Sequence, residues 1–312
     1  MTLSKKKKPA AASSVVSGEA LGMDANIAML VKERNANNAW HKLARNKTAL
    51  VGFFIVAFMV VIAVFAPLIA PYDPNAINPL LPFKGIGTPG HLFGTDDLGR
   101  DILSRIIYGS RISMIVAVGA TIVGAIIGVL IGLTAGYFGG WIDAVLMRIM
   151  DGMFSFPFIL LAMILITVLG NGVMNVILAI GIASVPGFAR VTRGQVLIVK
   201  EEEYCNACRV VGVSPVRLLF LHILPNCVSQ IIVYATLRIA SAIISEASLS
   251  FLGLGIALPT ASWGSILRVG RDCLTTAPHV AGTAGAFILV TVIGFNLLGD
   301  GIRDVMDPKM KQ

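Results

Sequence analysis

Six apolar runs, each near the length that crosses a bilayer, constrain this chain more than any other feature. A spanning helix takes about 20 mainly apolar residues, and the runs lie at roughly 49–70, 112–138, 153–170, 173–189, 228–252 and 279–299. Lipid offers no partner for a bare peptide group, so each run must close its own hydrogen bonds as a helix. The expected fold class is an all-α membrane protein with six transmembrane helices, and six crossings put both termini on one side. Composition agrees: 56% of the 312 residues are hydrophobic and 13% charged, with a mean hydropathy of +0.82, well above that of a soluble domain.

Orientation follows from lysine and arginine close to the spans, because positive charge resists translocation. Lys5 to Lys8, Lys32, Arg34, Lys42, Arg45 and Lys47 precede the first run. Arg190, Arg193, Lys200, Arg209 and Arg217 lie between the fourth and fifth. Both stretches are predicted to be cytoplasmic, as are both termini. The 71–111 loop carries Lys84, Arg100, Arg105 and Arg111, offset by Asp73, Asp96, Asp97 and Asp101. It is long enough to escape the rule and is assigned outside.

Three regions result: a basic, disordered tail at 1–45, a first span with its external loop at 46–111, and a five-helix core at 112–312 with a cytoplasmic loop at 190–227. The lysines of the tail are followed by AAASSVVSGEA and a polar stretch, not by an apolar core, so the tail is not a cleaved signal. The net charge of +8 is concentrated there. It points to membrane orientation and contact with anionic lipid, and no aromatic-interleaved basic surface points to nucleic acid.

Within the second run, Gly124, Gly128, Gly132 and Gly136 recur every four residues. At helical pitch they form one small-residue stripe along which another helix can approach closely. The fifth run reads YATLRIASAIISEASLSFLGLG and contains Arg238 and Glu246. Eight residues span about 12 Å of helix rise, too far for a direct pair, so each needs a partner elsewhere. They either line a substrate path or pair structurally with another helix, with snorkelling to the interface open to Arg238.

Metal and redox chemistry have little support. Cys205 and Cys208 form a C-x-x-C, but four ligands or a βαβ setting are missing, so they read as small helix residues. Asp96, Asp97 and Asp101, and likewise Asp300, Asp304 and Asp307, lack EF-hand spacing and interleave with arginine, which favours ion-pair and capping roles. His41, His91, His222 and His279 are scattered, with no nucleophile and base to suggest an enzyme.

The loop between the fourth and fifth runs contains CNACRVVGVSPVRLLFLHILPN, residues 205–226. Glu201 to Val211 is predicted to be a helix, with three glutamates in the first turn where the dipole favours negative charge, and Gly212 to end it. Ser214 suits an N-cap and Pro215 a first helical position, which predicts a second short helix over 215–224. Pro225 then marks the return to the membrane. An angled helix, turn and helix of this kind, with small Ala207 and Cys208 offering close backbone approach, suits docking of another protein.

These residues resemble the permease subunits of binding-protein-dependent ABC importers, in the dipeptide, oligopeptide and nickel branch. The family's cytoplasmic signature reads Glu-Ala-Ala, three residues, Gly, nine residues, Ile, one residue, Leu-Pro. Its positions fall on Asn206, Ala207, Cys208, Gly212, His222, Leu224 and Pro225. The spacing holds throughout, while Asn, Cys and His replace Glu, the second Ala and Ile. FGTDDLGRDILSRIIYGSRIS (93–113), GLTAGYFGGWIDAVLMRIMD (132–151), ASLSFLGLG (247–255) and FNLLGDGIRDVMDP (295–308) are similar to further hallmarks of the branch.

The resemblance implies a type I ABC importer permease fold with a cytoplasmic coupling helix, of the second-permease type found in dipeptide and glutathione permeases. It implies a bacterial inner-membrane location, a homologous second permease, two ABC ATPase subunits and an external substrate-binding protein. The expected cargo is a short peptide such as a dipeptide, oligopeptide or glutathione, with a nickel chelate as the alternative. No Walker-type G-x-x-x-x-G-K-[ST] occurs, so ATP and Mg belong to the partner ATPases, with no catalysis and no cofactor expected on this chain. Outside the family, an ion-coupled secondary transporter could use Arg238 and Glu246, but it would not need a docking helix.

Overall fold

The computed structural model describes residues 46–306, and the basic tail, with its lysines, and Asp307 lie outside the described residues. From Lys47 onward the described chain is one compact unit. Among the described residues no strand forms, and five helices are long and apolar enough to cross a membrane, or six if one bent pair counts as a span.

The first span is α1 (Lys47–Val64), followed by the single turn α2 (Ala66–Ile69). The segment 70–101 then leads to α3 (Ile102–Phe138), which starts about ten residues before the predicted span. Asp101 explains the early start. Its carboxylate accepts from the Ser104 backbone N–H at 2.7 Å and from His91 Nδ1 at 2.9 Å, capping the helix. The predicted division between residues 111 and 112 therefore falls inside α3. Around this start, Arg100 and Arg105 are almost fully buried, and both reach Asp96, at 2.7 and 3.5 Å. The acidic cluster Asp96, Asp97 and Asp101 thus makes ion pairs and a helix cap.

The third predicted span is not a single helix. The chain forms α4 (Gly140–Phe154) and α5 (Phe158–Leu169), bent by 92° at residues 155–157. Pro157 has no N–H to continue the helix and disfavours helical torsions at Phe156, so the apolar run is cut. Next, α6 (Val173–Val199) outruns its predicted end at 189. Arg190 and Arg193 continue it because Asp151 and Asp143 of α4 neutralise them, at 2.6 Å and through two bonds of 2.5 and 2.6 Å.

The loop helix is α7 (Glu203–Val210), and α8 (Pro215–Leu218) leads through a π-helical turn (Leu219–Ile223) into α9 (Leu224–Phe251). The second short helix therefore does not stop at Pro225. The wider turn lets the Leu224 N–H bond to Leu219 five residues back, absorbing the register change around a proline with no amide of its own. After α9, the amphipathic α10 (Trp263–Asp272) sits behind a Ser262 capping box, and α11 (Pro278–Met306) completes the bundle.

The most extensive helix pair is α3 with α6, and the glycine stripe is the reason. A Cβ on Gly128 would stand 2.5 Å from Phe188 Cβ, and one on Gly132 would stand 2.5 Å from the Ala189 carbonyl oxygen. Gly124 and Gly136 face Gly181, Ser184 and Val196 in the same way. The helix that fills the stripe is thus in this chain. Van der Waals packing of backbones at this distance holds the bundle where lipid gives no hydrophobic drive.

Candidate coupling loop and membrane-interior charges

The loop is built on the ends of three spans. Leu133 of α3, Val196 and Val199 of α6, Cys205 of α7, Leu218, Leu219 and Ile223 around the π turn, and Cys227 of α9 form one buried cluster. Lys200 adds a tie, donating through Nζ to the Gly136 carbonyl at 3.0 Å. Close-packed side chains thus join α7 to α3, α6 and α9.

At its end, α7 has the full Schellman pattern. Val213 N–H bonds to the Cys208 carbonyl and Gly212 N–H to the Arg209 carbonyl, with Gly212 at φ +81°. That torsion costs an ordinary side chain energy and costs glycine little. Ser214 occupies the next N-cap position in extended torsions, without a side-chain cap bond, and Pro215 opens α8.

The loop shows solvent both charged residues, Glu201 to Glu203, Arg209 and Arg217, and small or apolar ones. Ala207 and Asn206 are exposed, and Val210 and Val211 are 89% and 82% exposed, with Val216 close behind. Asn206 accepts from Arg209 Nη1 at 2.9 Å, within its own helix. His222 and Leu224 are half-buried and Pro225 is exposed. Of the C-x-x-C, Cys205 is buried and donates to the Val199 carbonyl at 3.3 Å, while Cys208 is half-buried; both are free thiols. Among the described residues no group of three His, Cys, Asp or Glu gathers as a metal site.

The two charges on α9 do not meet. Glu246 is 0% exposed. Its Oε1 accepts from Ser250 and Ser262 hydroxyls at 2.9 and 3.0 Å, and its Oε2 from Ser113 at 3.0 Å. Ser113 and Ser262 also accept from the backbone N–H of Trp263 and Ser265. The carboxylate thereby ties α3, α9 and the start of α10 together. No sequence rule singles out Ser113, which lies 133 residues away. Ser250 is legible at the i+4 position of the same helix.

Arg238 is only half-buried. Its Nη2 donates to Ser184 of α6 at 2.9 Å and its guanidinium lies 4.9 Å from the Phe158 ring centre, at the start of α5. Its Nε is buried with no partner.

The comparisons with known proteins cover nearly the whole chain. Residues 128–312 match the family model described as binding-protein-dependent transport system inner membrane component, and residues 36–82 match the N-terminal transmembrane domain of oligopeptide transport permease C. Glutathione transport system permease proteins GsiD of Escherichia coli O6:K15:H31 (strain 536 / UPEC) and Shigella boydii serotype 4 (strain Sb227) are each 45% identical over 290 residues, 92% of this chain and 96% of theirs. The homologue in Shigella flexneri serotype 5b (strain 8401) is 46% identical over the same span. In fold, the chain is similar to a chain of the inward-facing MetNI methionine ABC transporter, with a TM-score of 0.51, 19% identity, and 65% of this chain and 96% of that one covered.

Proposed function

Because this chain belongs to the family of binding-protein-dependent transport system inner membrane components, with the type I ABC importer permease fold, we propose that it carries glutathione or a similar short peptide inward from an external binding protein. The observation that carries this reading is the exposed α7, with Ala207 on its open face, seated on a buried cluster shared by α3, α6 and α9. The GsiD relatives support the choice of cargo.

The mechanism follows from the packing. An ATPase pair holding ATP and Mg closes, the face of Ala207, Val210 and Val211 moves with it, and the cluster beneath turns that motion into rotation of the spans. This chain supplies docking, a path and a packed transmission, while hydrolysis takes place on the partner subunits. A homologous second permease completes the path. Both termini and the loop from Lys200 to Leu224 face the cytoplasm, and the Asp96–Asp101 segment faces outside.

Uptake of labelled glutathione into proteoliposomes containing the whole complex tests the reading, with Ala207→Trp and Gly212→Val as variants. Both variants are expected to insert normally and to lower ATPase recovery or coupled uptake about tenfold, because one adds bulk at the docking face and the other disfavours a left-handed turn by about 1–2 kcal/mol. Wild-type uptake that does not depend on ATP, or full coupling in both variants, would overturn it.

A further inference from the structure

Arg238 sits midway along α9, which runs from Leu224 to Phe251. About 20 Å of helix lies on either side, within a stretch apolar and long enough to cross a membrane. A cation at such a depth is costly unless it is paired or faces a wet cavity.

Its surroundings do not neutralise it. Among the described residues no carboxylate lies within salt-bridge distance of Arg238, and its one hydrogen bond is to the neutral Ser184 hydroxyl. Of five N–H donors, Nε is buried and unused. The ring beneath the guanidinium belongs to Phe158, the first residue of α5. The first turn of α5 holds no acidic residue, and its N-cap, Pro157, makes no side-chain cap bond. The positive end of a helix and a guanidinium therefore converge with nothing negative between them.

A neighbouring arginine provides the contrast. Arg190 lies 4.1 Å from the Phe154 ring centre, on the other side of the 155–157 elbow, and is neutralised by Asp151 at 2.6 Å. The same arginine-on-phenylalanine unit is thus completed by an acid at one site and left without one at the other. At the elbow this chain leaves Phe156 and Pro157 exposed.

Resting on the import reading above, we propose that Arg238 is a specificity-determining residue that holds a carboxylate of the transported peptide inside the membrane, at the N-terminal end of α5. Ser184 keeps the guanidinium turned toward this position. Cargo that carries a free carboxylate is then favoured over its ester or amide once it has left the binding protein.

The test uses the complete complex of both permeases and the ATPases, purified without binding protein. Its thermal midpoint is measured with reduced glutathione or trialanine, and with glutathione diethyl ester or trialanine amide. At saturating ligand the free carboxylates are expected to raise the wild-type midpoint by about 3 °C, and the blocked forms are not. Arg238→Gln should abolish the rise, and Arg238→Lys should keep part of it. Equal shifts in wild type and Arg238→Gln, no shift in wild type, or loss of the second permease from the Arg238→Gln complex would overturn the assignment, the last by showing that a protein acid is the partner. ATP-dependent uptake by the wild type, measured separately, decides the import reading without reference to Arg238.

Discussion

Glu246 and Arg238 share one helix and give the same sequence signal, an ionisable group in an apolar span, but the structure treats them in opposite ways. Glu246 has three hydroxyl donors on three segments and no exposed surface. Arg238 has one hydroxyl, an unused buried Nε and an open side. The difference lies in the partners each finds within the chain: Glu246 is saturated, and Arg238 keeps donor capacity for the carboxylate proposed above.

The largest expected effect is on the saturated side. Glu246→Ala leaves three buried hydroxyls without their acceptor, at about 1–3 kcal/mol each. Recovery of folded permease in mild detergent should collapse, and recovery near that of wild type would break the comparison. Glu246→Gln keeps the shape and one acceptor, so it should cost less than half as much and leave coupled uptake intact. Loss of uptake at normal stability would instead move Glu246 into the path.

Ser262→Ala comes next. It removes one donor to Glu246 and the cap of α10 together, and a loss of about 1–3 kcal/mol is expected in denaturant or thermal unfolding. On the unsaturated side the sign reverses: Arg238→Leu removes a cation with no counter-charge, so stability should change by under about 1 kcal/mol, or rise, while uptake of carboxylate cargo falls at least tenfold. A large drop in the thermal midpoint would mean that Arg238 is a fastener as well. The smallest effect is expected at Cys208→Ala, a half-buried free thiol, where unfolding should shift by less than about 0.5 kcal/mol.

Interruptions were harder to read than spans. The apolar run at 153–170 contains Pro157, which was the visible cue to the elbow, but length and hydropathy outweighed it. α3 starts before, and α6 ends beyond, the apolar runs that predict them, because charged residues continue both helices. Arg105, Arg190 and Arg193 extend helices once Asp96, Asp151 and Asp143 neutralise them, and those partners come from other elements. In the loop, Gly212 was legible as a terminator because a left-handed residue after a helix is a local requirement. The passage through Pro225 was not, since a π turn trades one hydrogen-bond register for another at little local cost.

By itself the sequence determined the membrane setting, the helical class, the glycine face of α3 and the loop helix that ends at Gly212, because each depends on composition or on spacing along one helix. Only the tertiary structure decided that α6 fills the glycine face, that Glu246 is closed off by serines from three segments, and that Arg238 is left open beside α5. Those outcomes depend on which distant side chains arrive within 3 Å of one another. Hydrogen-bond saturation is a property of that meeting, and no periodicity in the chain encodes it.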